Sequence, residues 1–137
     1  MTVEEEIRQF ISALDDKKRG EIQTLHDLIS AALPGCKLWF SDGRNEEGKI
    51  VSNPTIGYSF YTIQYANGSE KEFFRIGLSA KASGISVFIM GLEDKEALKK
   101  RIGSTIGKAK VTGYCISFNK TKDIDMDVLI NEIKHWA

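Results

Sequence analysis

Apolar residues in the first third of the chain recur with the 3.6-residue period of an α-helix. A first amphipathic helix is predicted over about 3–14, because Thr2 and Glu5 have the spacing of a capping box at its start. A second helix begins after Asp15 or Asp16 and continues to the Pro-Gly break at 34–35. The apolar positions that define the two helices are Ile7, Phe10, Ile11 and Leu14, then Ile22, Leu25, Ile29, Ala32 and Leu33.

Beyond Gly35 the pattern changes to short apolar runs that are typical of β-strands. Asn67-Gly68 separates two of these runs, which indicates a β-hairpin closed by a two-residue type I′ turn. Helical periodicity returns from about 94 to 102 and again after Asp125, which can cap a terminal helix. Strands are predicted over 36–40, 56–65, 71–78, 85–90 and 114–118, with a further short hairpin strand at 49–51.

These elements predict an α+β fold. Successive strands are joined by hairpins rather than helical crossovers, which favours an antiparallel sheet of about five strands with the helices on one face. Two helices precede the sheet, one helix comes before the last strand, and one helix ends the chain. The 137 residues contain no internal repeat and no low-complexity linker, so we expect residues 1–137 to form a single domain.

The predicted hairpin assigns its side chains to two faces. With Asn67 and Gly68 as the loop, Tyr61 lies opposite Phe74 and Ser59 lies opposite Ile76. The face that we expect to meet the helices carries Tyr61, Ile63, Phe74, Ile76 and Leu78. The opposite face carries Tyr58, Phe60, Phe73 and Arg75, which the helix layer cannot also cover.

The second face is therefore a candidate binding surface. Aromatic area beside an arginine suits a small ligand with an apolar body and an anionic or aromatic end, or a protein partner. Trp39, together with Phe88 and Met90 on the next strand, extends this surface. The alternative is that residues 42–55 or the C-terminal helix fold over it and form a second, minor core.

The glycine-rich loop at 103–113 is a second candidate. It lacks the spacing and the hydroxyl residue of a nucleotide-binding P-loop, and it lies between a helix and a strand in the wrong order. Its backbone N–H groups beside Lys108 and Lys110 suit a simpler anion site. The alternative is a tight connection with two solvated lysines.

Composition narrows the possible partners. Nineteen Lys and Arg residues balance nineteen Asp and Glu residues, which argues against a general nucleic-acid-binding protein. The chain begins with an acidic segment and has no apolar run of the ~20 residues that a membrane span needs. We therefore expect a cytoplasmic protein that binds neither nucleic acid nor membranes, with Cys36 and Cys115 as reduced thiols.

Two further functions remain open from the residues, and no cofactor is indicated. Cys36 or Cys115 could act as a catalytic nucleophile, although His26 and His135, both in predicted helices, give neither a positioned base. Surface carboxylates could bind a hard cation, whereas acidic residues in first helical turns also stabilise the helix dipole without a ligand. These carboxylates are Glu4, Glu5, Glu6, Asp15, Asp16 and Glu21, and Asp123, Asp125 and Asp127.

An ordered series of short motifs covers most of the chain, from the Leu-Pro end of the second helix to the start of the last. It comprises Trp39, Gly57-Tyr58, Tyr61, Asn67-Gly68, Phe74-Arg75-Ile76-Gly77-Leu78, Gly103, the segment 107–116 and Asp123-Ile124-Asp125. In this series the chain resembles the YdhG-like family, a domain of unknown function. The resemblance implies a YdhG-like α+β domain. Because some members are labelled frataxin-like iron chaperones, it also implies iron handling by surface carboxylates as an alternative function.

The leading hypothesis from the sequence is a non-enzymatic intracellular binding protein. Its predicted ligand-binding residues are Trp39, Tyr58, Phe60, Phe73, Arg75, Lys108 and Lys110. This hypothesis requires a cavity on the side of the sheet that faces away from the two N-terminal helices.

Overall fold

The computed structural model describes residues 1–81 and 84–137, and in these ranges it has an α+β fold. The helices are α1 (Val3–Ser12), α2 (Asp16–Ala32), α3 (Ala97–Ile102) and α4 (Met126–Trp136), and a 3-10 turn lies at Thr121–Asp123. The strands are β1 (Leu38–Ser41), β2 (Thr55–Tyr58), β3 (Tyr61–Gln64), β4 (Glu70–Phe73), β5 (Ile76–Lys81), β6 (Gly84–Ile89), β7 (Lys110–Thr112) and β8 (Cys115–Phe118).

The helices begin where the sequence predicts caps. Thr2 Oγ1 accepts a hydrogen bond from the Glu5 amide at 3.2 Å, and the Asp15 carboxylate accepts one from the Lys18 amide at 2.9 Å. Asp125 Oδ1 accepts hydrogen bonds from two backbone N–H groups in the first turn of α4. Each cap satisfies amide groups that have no partner within the helix. The third helix starts later than its pattern predicts.

The predicted antiparallel sheet is confirmed, with more strands than expected. Six strands form one sheet in the order β1-β2-β5-β6-β8-β7, and β3 and β4 form a separate two-stranded ribbon. The edge strand β7 lies in the segment predicted as a loop, because its three residues are too few for a periodic signal. The short hairpin predicted at 49–51 is reduced to a single bridge between Arg44 and Ile50.

The predicted hairpin exists, but its predicted register is wrong by one residue. Tyr61 lies opposite Phe73 rather than Phe74. The Tyr65 amide donates to the Ser69 carbonyl at 2.9 Å, so the loop has three residues instead of two. A type I′ turn needs positive φ at both central residues, whereas only Gly68 of the Asn-Gly pair has one, at 86°.

The same ribbon is bent in the middle. Each predicted long strand is divided in two, β2 from β3 and β4 from β5, and only β2 and β5 belong to the large sheet. Ser59 lies at the bend with φ 61° in the left-handed region. Its amide donates to the Lys37 carbonyl at 2.8 Å, and its carbonyl accepts the indole N–H of Trp39 at 2.8 Å. The edge strand β1 thereby fixes the bend.

One hydrophobic core lies between the helices and one face of the large sheet. The buried apolar residues of all four helices belong to the same cluster as those of the strands. The sheet contributes Ile56, Tyr58, Ile76, Leu78, Ile85, Val87, Ile89, Val111, Ile116 and Phe118 to this cluster. The corrected register therefore places Tyr58 in the core beside Ile76, on the face opposite to the one predicted.

The other face of the large sheet lies outside this core cluster, and we call it the open face. Its strand positions alternate with the core positions listed above. The open face comprises Trp39, Ser41, Thr55, Gly57, Gly77, Ser79, Lys81, Gly84, Ser86, Phe88, Lys110, Thr112, Cys115 and Ser117.

Candidate functional site

The open face contains a concavity of about 320 Å³, which we call the sheet concavity. Its position, on the side of the sheet away from the helices, is the position that the sequence hypothesis requires. It spans the middle strands β2, β5 and β6 and the turn before β8. Its lining residues are Ser52, Asn53, Thr55, Phe74, Ser79, Phe88, Met90 and Tyr114.

Small residues at the centre of the sheet create the space for this concavity. Gly57 and Gly77 are directly opposite each other on β2 and β5, and the Phe74 side chain lies over both. A Cβ atom on Gly57 would lie 2.7 Å from Phe74 Cβ, and one on Gly77 would lie 2.9 Å from the Phe74 ring edge. The sequence prediction placed Phe74 toward the helices, and the structure corrects this because the ribbon bends at Phe74 and turns the ring back over the glycines.

Aromatic side chains continue across the open face in a row. The Trp39 and Phe73 rings meet edge to face at 6.4 Å, and Phe73 is in contact with Phe74 at 4.2 Å between ring centroids. Phe88 is the next aromatic residue of the row and lies beside Gly77. The centroid of its ring is 5.9 Å from that of Tyr114. This row offers ring faces and edges to a flat apolar group.

The polar groups of the sheet concavity are uncharged. The Ser79 hydroxyl donates to the Pro54 carbonyl at 2.8 Å, and the Thr55 hydroxyl donates to the Asn53 carbonyl at 3.2 Å. Ser79 is almost fully buried, whereas the Thr55 oxygen can also accept a hydrogen bond and the side chain of Asn53 adds an amide that both donates and accepts. The concavity thus combines aromatic walls with neutral hydrogen-bonding groups on one side.

The segment between β1 and β2 borders the concavity and does not fill it. Ser52 and Asn53 form part of its wall. The apolar residues that would build a second core from this segment, Ile50 and Val51, are 65% and 62% exposed. The C-terminal helix α4 packs on the opposite side of the sheet through its buried Leu129 and Ile133. Neither element provides the minor core considered from the sequence.

Tyr58, a predicted ligand contact, is part of the core and is fully buried. Its hydroxyl shares a hydrogen bond of 2.7 Å with Nδ1 of His26 on α2. Burial raises the pKa of Tyr58 far above its ordinary value. Burial also lowers the pKa of the half-buried His26, although the neighbouring Asp27 acts in the opposite direction. This pair joins α2 to the sheet and is inaccessible from the open face.

Arg75 and Phe60 also lie away from the sheet concavity. Arg75 Nε donates to the Trp136 carbonyl at 2.9 Å, and Nη1 donates to the Met90 carbonyl at 2.7 Å. Its guanidinium group lies over the rings of Tyr61 and Trp136, so it fastens the end of α4 to the bend of the ribbon. Phe60 is 49% exposed at that bend. Trp39 and Phe73 are the predicted contacts that belong to the aromatic row.

The two predicted lysines are separated by the strand that was missed. Lys108 is exposed in the loop before β7, where its amide donates to the Asp123 carbonyl at 2.9 Å. Lys110 begins β7 and lies opposite Ser117, which places it on the open face. Lys81 lies on the same face at the end of β5 and was missed because no motif marks it.

The structure gives little support for a cysteine nucleophile or for a metal site formed by carboxylates. Burial raises the pKa of Cys115, while a hydrogen bond with Ser86 and the charge of Lys81 partly oppose that rise, so its thiol is protonated at pH 7. Both cysteines are free. Residues 1–81 and 84–137 contain no group of three or more His, Cys, Asp or Glu side chains that could hold a metal ion.

Within the part of the chain that the structure describes, every helix is too short or too polar to cross a bilayer.

Comparison of the chain with family models, with curated proteins and with solved structures finds no match. The resemblance to the YdhG-like family therefore stays a prediction.

Proposed function

We propose that this chain is a non-enzymatic intracellular binding protein that holds a small molecule on the open face, with a flat, uncharged ring of the ligand in the sheet concavity. One observation carries the proposal: aromatic side chains from three separate segments surround a concavity on a sheet face that the helices leave free. YdhG-like membership and an intracellular location are parts of the same proposal, and the two free cysteines are compatible with a reducing compartment.

The size and lining of the concavity favour a ring as its occupant. A volume of about 320 Å³ is at the lower end of the range of small-molecule sites. Phe74, Phe88 and Tyr114 supply apolar area, and Met90 adds a thioether that adapts to an irregular outline. A rigid ring loses less conformational entropy on binding to this apolar area than a flexible chain of equal volume.

The neutral lining favours an uncharged group at this position. A charged group that loses water here would have no ionic partner among the eight lining residues, and burying an unpaired charge is costly. Hydroxyl, amide, thioether and aromatic groups can instead bind and orient a ring. They hold no proton that is readily transferred near pH 7, which favours binding over acid–base catalysis.

The test uses phenylnaphthylamine, an uncharged aromatic dye that fluoresces when it leaves water. We expect it to bind the wild-type protein and Phe88→Ala to bind it about tenfold more weakly, since one lost aromatic contact is worth on the order of 1.4 kcal/mol. Phe60→Ala is the matched control, because Phe60 is an exposed aromatic residue of the ribbon outside the concavity. Circular dichroism confirms that each variant is folded.

Equal losses in the Phe88 and Phe60 variants would contradict the proposal, because they would indicate nonspecific binding to exposed rings. Failure of the wild-type protein to bind the dye would contradict it as well.

A further inference from the structure

We propose that the ligand carries an anionic substituent next to its ring, and that Lys81 and Lys110 hold this anion at the far end of the open face. This inference rests on the proposed function and extends it to the ligand's charge. The occupant is a small aromatic molecule with a carboxylate, sulfonate or phosphate group.

The first argument is the charge of the open face. Among the residues that define this face, the charged ones are Lys81 and Lys110, and both are positive. Lys37, which precedes the opposite edge strand β1, is paired with Glu72 at 3.2 Å. The chain as a whole has a formal net charge of zero, so the positive character of this face is local. An anion is the complementary ligand.

The second argument is the order of residues along the face. On β6, Phe88 in the concavity lies two positions away from Ser86. Their partners on β8 are Cys115 and Ser117. Ser117 is paired on its other side with Lys110 of β7. Two residues along a strand span about 7 Å, and neighbouring strands are about 5 Å apart. The surface between the aromatic wall and the lysine is therefore a short path over small side chains.

Lys81 approaches the same path from the other side. It is half buried at the end of β5, two positions beyond Ser79 in the concavity. Burial raises the pKa of Cys115, and the Lys81 charge is close enough to act against that rise. In the sheet, Lys81 lies two residues beyond the row that Ser79, Ser86 and Ser117 form with Lys110, and β6 and β8 lie between the strands of the two lysines. The two lysines flank one region next to the concavity.

The limited number of charges argues for a small ligand. Two lysines can neutralise one anionic group, whereas a nucleic acid would need a series of phosphate contacts. The concavity takes one ring system rather than a long chain. A ring with one adjacent anion uses both features at once.

The test compares two dyes with the same aromatic skeleton, phenylnaphthylamine and anilinonaphthalene sulfonate, which differ in the anionic group. We expect Lys81→Gln/Lys110→Gln to weaken sulfonate binding by about fivefold to tenfold, as two partly exposed ion pairs would, and to leave binding of the neutral dye within about twofold. The control, Lys17→Gln/Lys134→Gln, removes two exposed lysines from α2 and α4, and we expect it to leave both affinities unchanged.

The results separate the two proposals. Unchanged sulfonate binding in the Lys81 and Lys110 variant would overturn the anion site and leave the ring site intact, provided that the neutral dye still responds to Phe88→Ala. An equal loss for both dyes would also overturn the anion site, because the lysines would then act through structure. Loss of the Phe88 effect on the neutral dye would overturn the proposed function, and the anion site with it.

Discussion

Gly57 and Gly77 are cross-strand partners at the centre of the open face, and the side chain of Phe74 occupies the space above both. Neither glycine has a positive φ, so their conformations are open to any residue. What excludes a side chain is the neighbouring aromatic group. The pair therefore determines how closely Phe74 approaches the sheet and, with it, the depth of the concavity.

Gly57→Ala is expected to lower the free energy of unfolding by about 1–3 kcal/mol, because its Cβ would lie 2.7 Å from Phe74 Cβ and 2.8 Å from Trp39 Cβ. These atoms are next to the backbone and cannot rotate away. Gly77→Ala should cost less, since it meets the edges of two rings. Urea unfolding measures both changes.

Gly20→Ala provides the control for this comparison. Gly20 lies within α2, and nothing occupies the space around an added Cβ. We expect this variant to gain about 0.5–1 kcal/mol from helix propensity. A loss at Gly77 as large as that at Gly57 would contradict the distinction between the fixed Cβ atoms near Gly57 and the movable ring edges near Gly77.

The helices were predictable because their signals are local. Thr2, Asp15 and Asp125 cap helices within three residues of themselves, and each cap is found as predicted. The 3.6-residue spacing of apolar side chains is likewise a property of each helix and can be recognised in its own sequence. The same reasoning fails for β7, whose three residues become a strand only through pairing with β8.

The prediction of the candidate site depended on the register of the hairpin strands, which the Asn67-Gly68 turn signal alone does not define. Asn67-Gly68 fits either a two-residue or a three-residue loop, and a shift by one residue moves a whole strand to the opposite face. A longer-range signal was present: setting Gly57 opposite Gly77 gives the observed register and puts Tyr58 beside Ile76. The bend that turns Phe74 back over the sheet depends on contacts of Ser59 with β1, which the hairpin sequence does not contain.

The His26–Tyr58 pair predicts a loss of stability in mild acid. Burial lowers the pKa of His26 in the folded protein, while the unfolded chain retains a pKa of about 6.5. Below that pH the unfolded state binds more protons, so the free energy of unfolding falls as the pH is lowered from about 7 to 5.5. Above about pH 7.5 this contribution is constant. Urea unfolding at a series of pH values measures the fall.

Substitution of the two histidines separates this effect from other titrations. His26→Gln should reduce the fall in stability between pH 7 and 5.5, because the titrating ring is gone. His135→Gln should retain it, since His135 is exposed on α4. An undiminished fall in the His26 variant would show that another group causes it.

Ser59 is a position where glycine should be tolerated better than serine. Its φ of 61° is unfavourable for residues with a Cβ, and its contacts with Lys37 and Trp39 use only its backbone. We expect Ser59→Gly to raise the free energy of unfolding by up to about 1 kcal/mol, and Ser59→Val to lower it by about 1–2 kcal/mol. Urea midpoints at constant m-value measure both.

The same serine-to-glycine change in helical backbone serves as the control. Ser12 ends α1, and its hydroxyl donates to the Gln9 carbonyl at 2.9 Å. Ser12→Gly should therefore lower stability. If both glycine variants were destabilised alike, the left-handed conformation of Ser59 would not be the cause.

Glu132 predicts an asymmetry between single and double substitutions. Its carboxylate on α4 is almost fully buried, and it accepts hydrogen bonds from Arg101 Nε at 2.8 and 3.0 Å and from the indole N–H of Trp136 at 2.8 Å. Arg101→Met leaves this buried charge without its ionic partner, which is more costly than removal of both charges. We expect the single variant to unfold at lower urea concentration than Arg101→Met/Glu132→Met. A double variant less stable than the single one would show that Glu132 is held mainly by Trp136, and Trp136→Phe should then account for the larger loss.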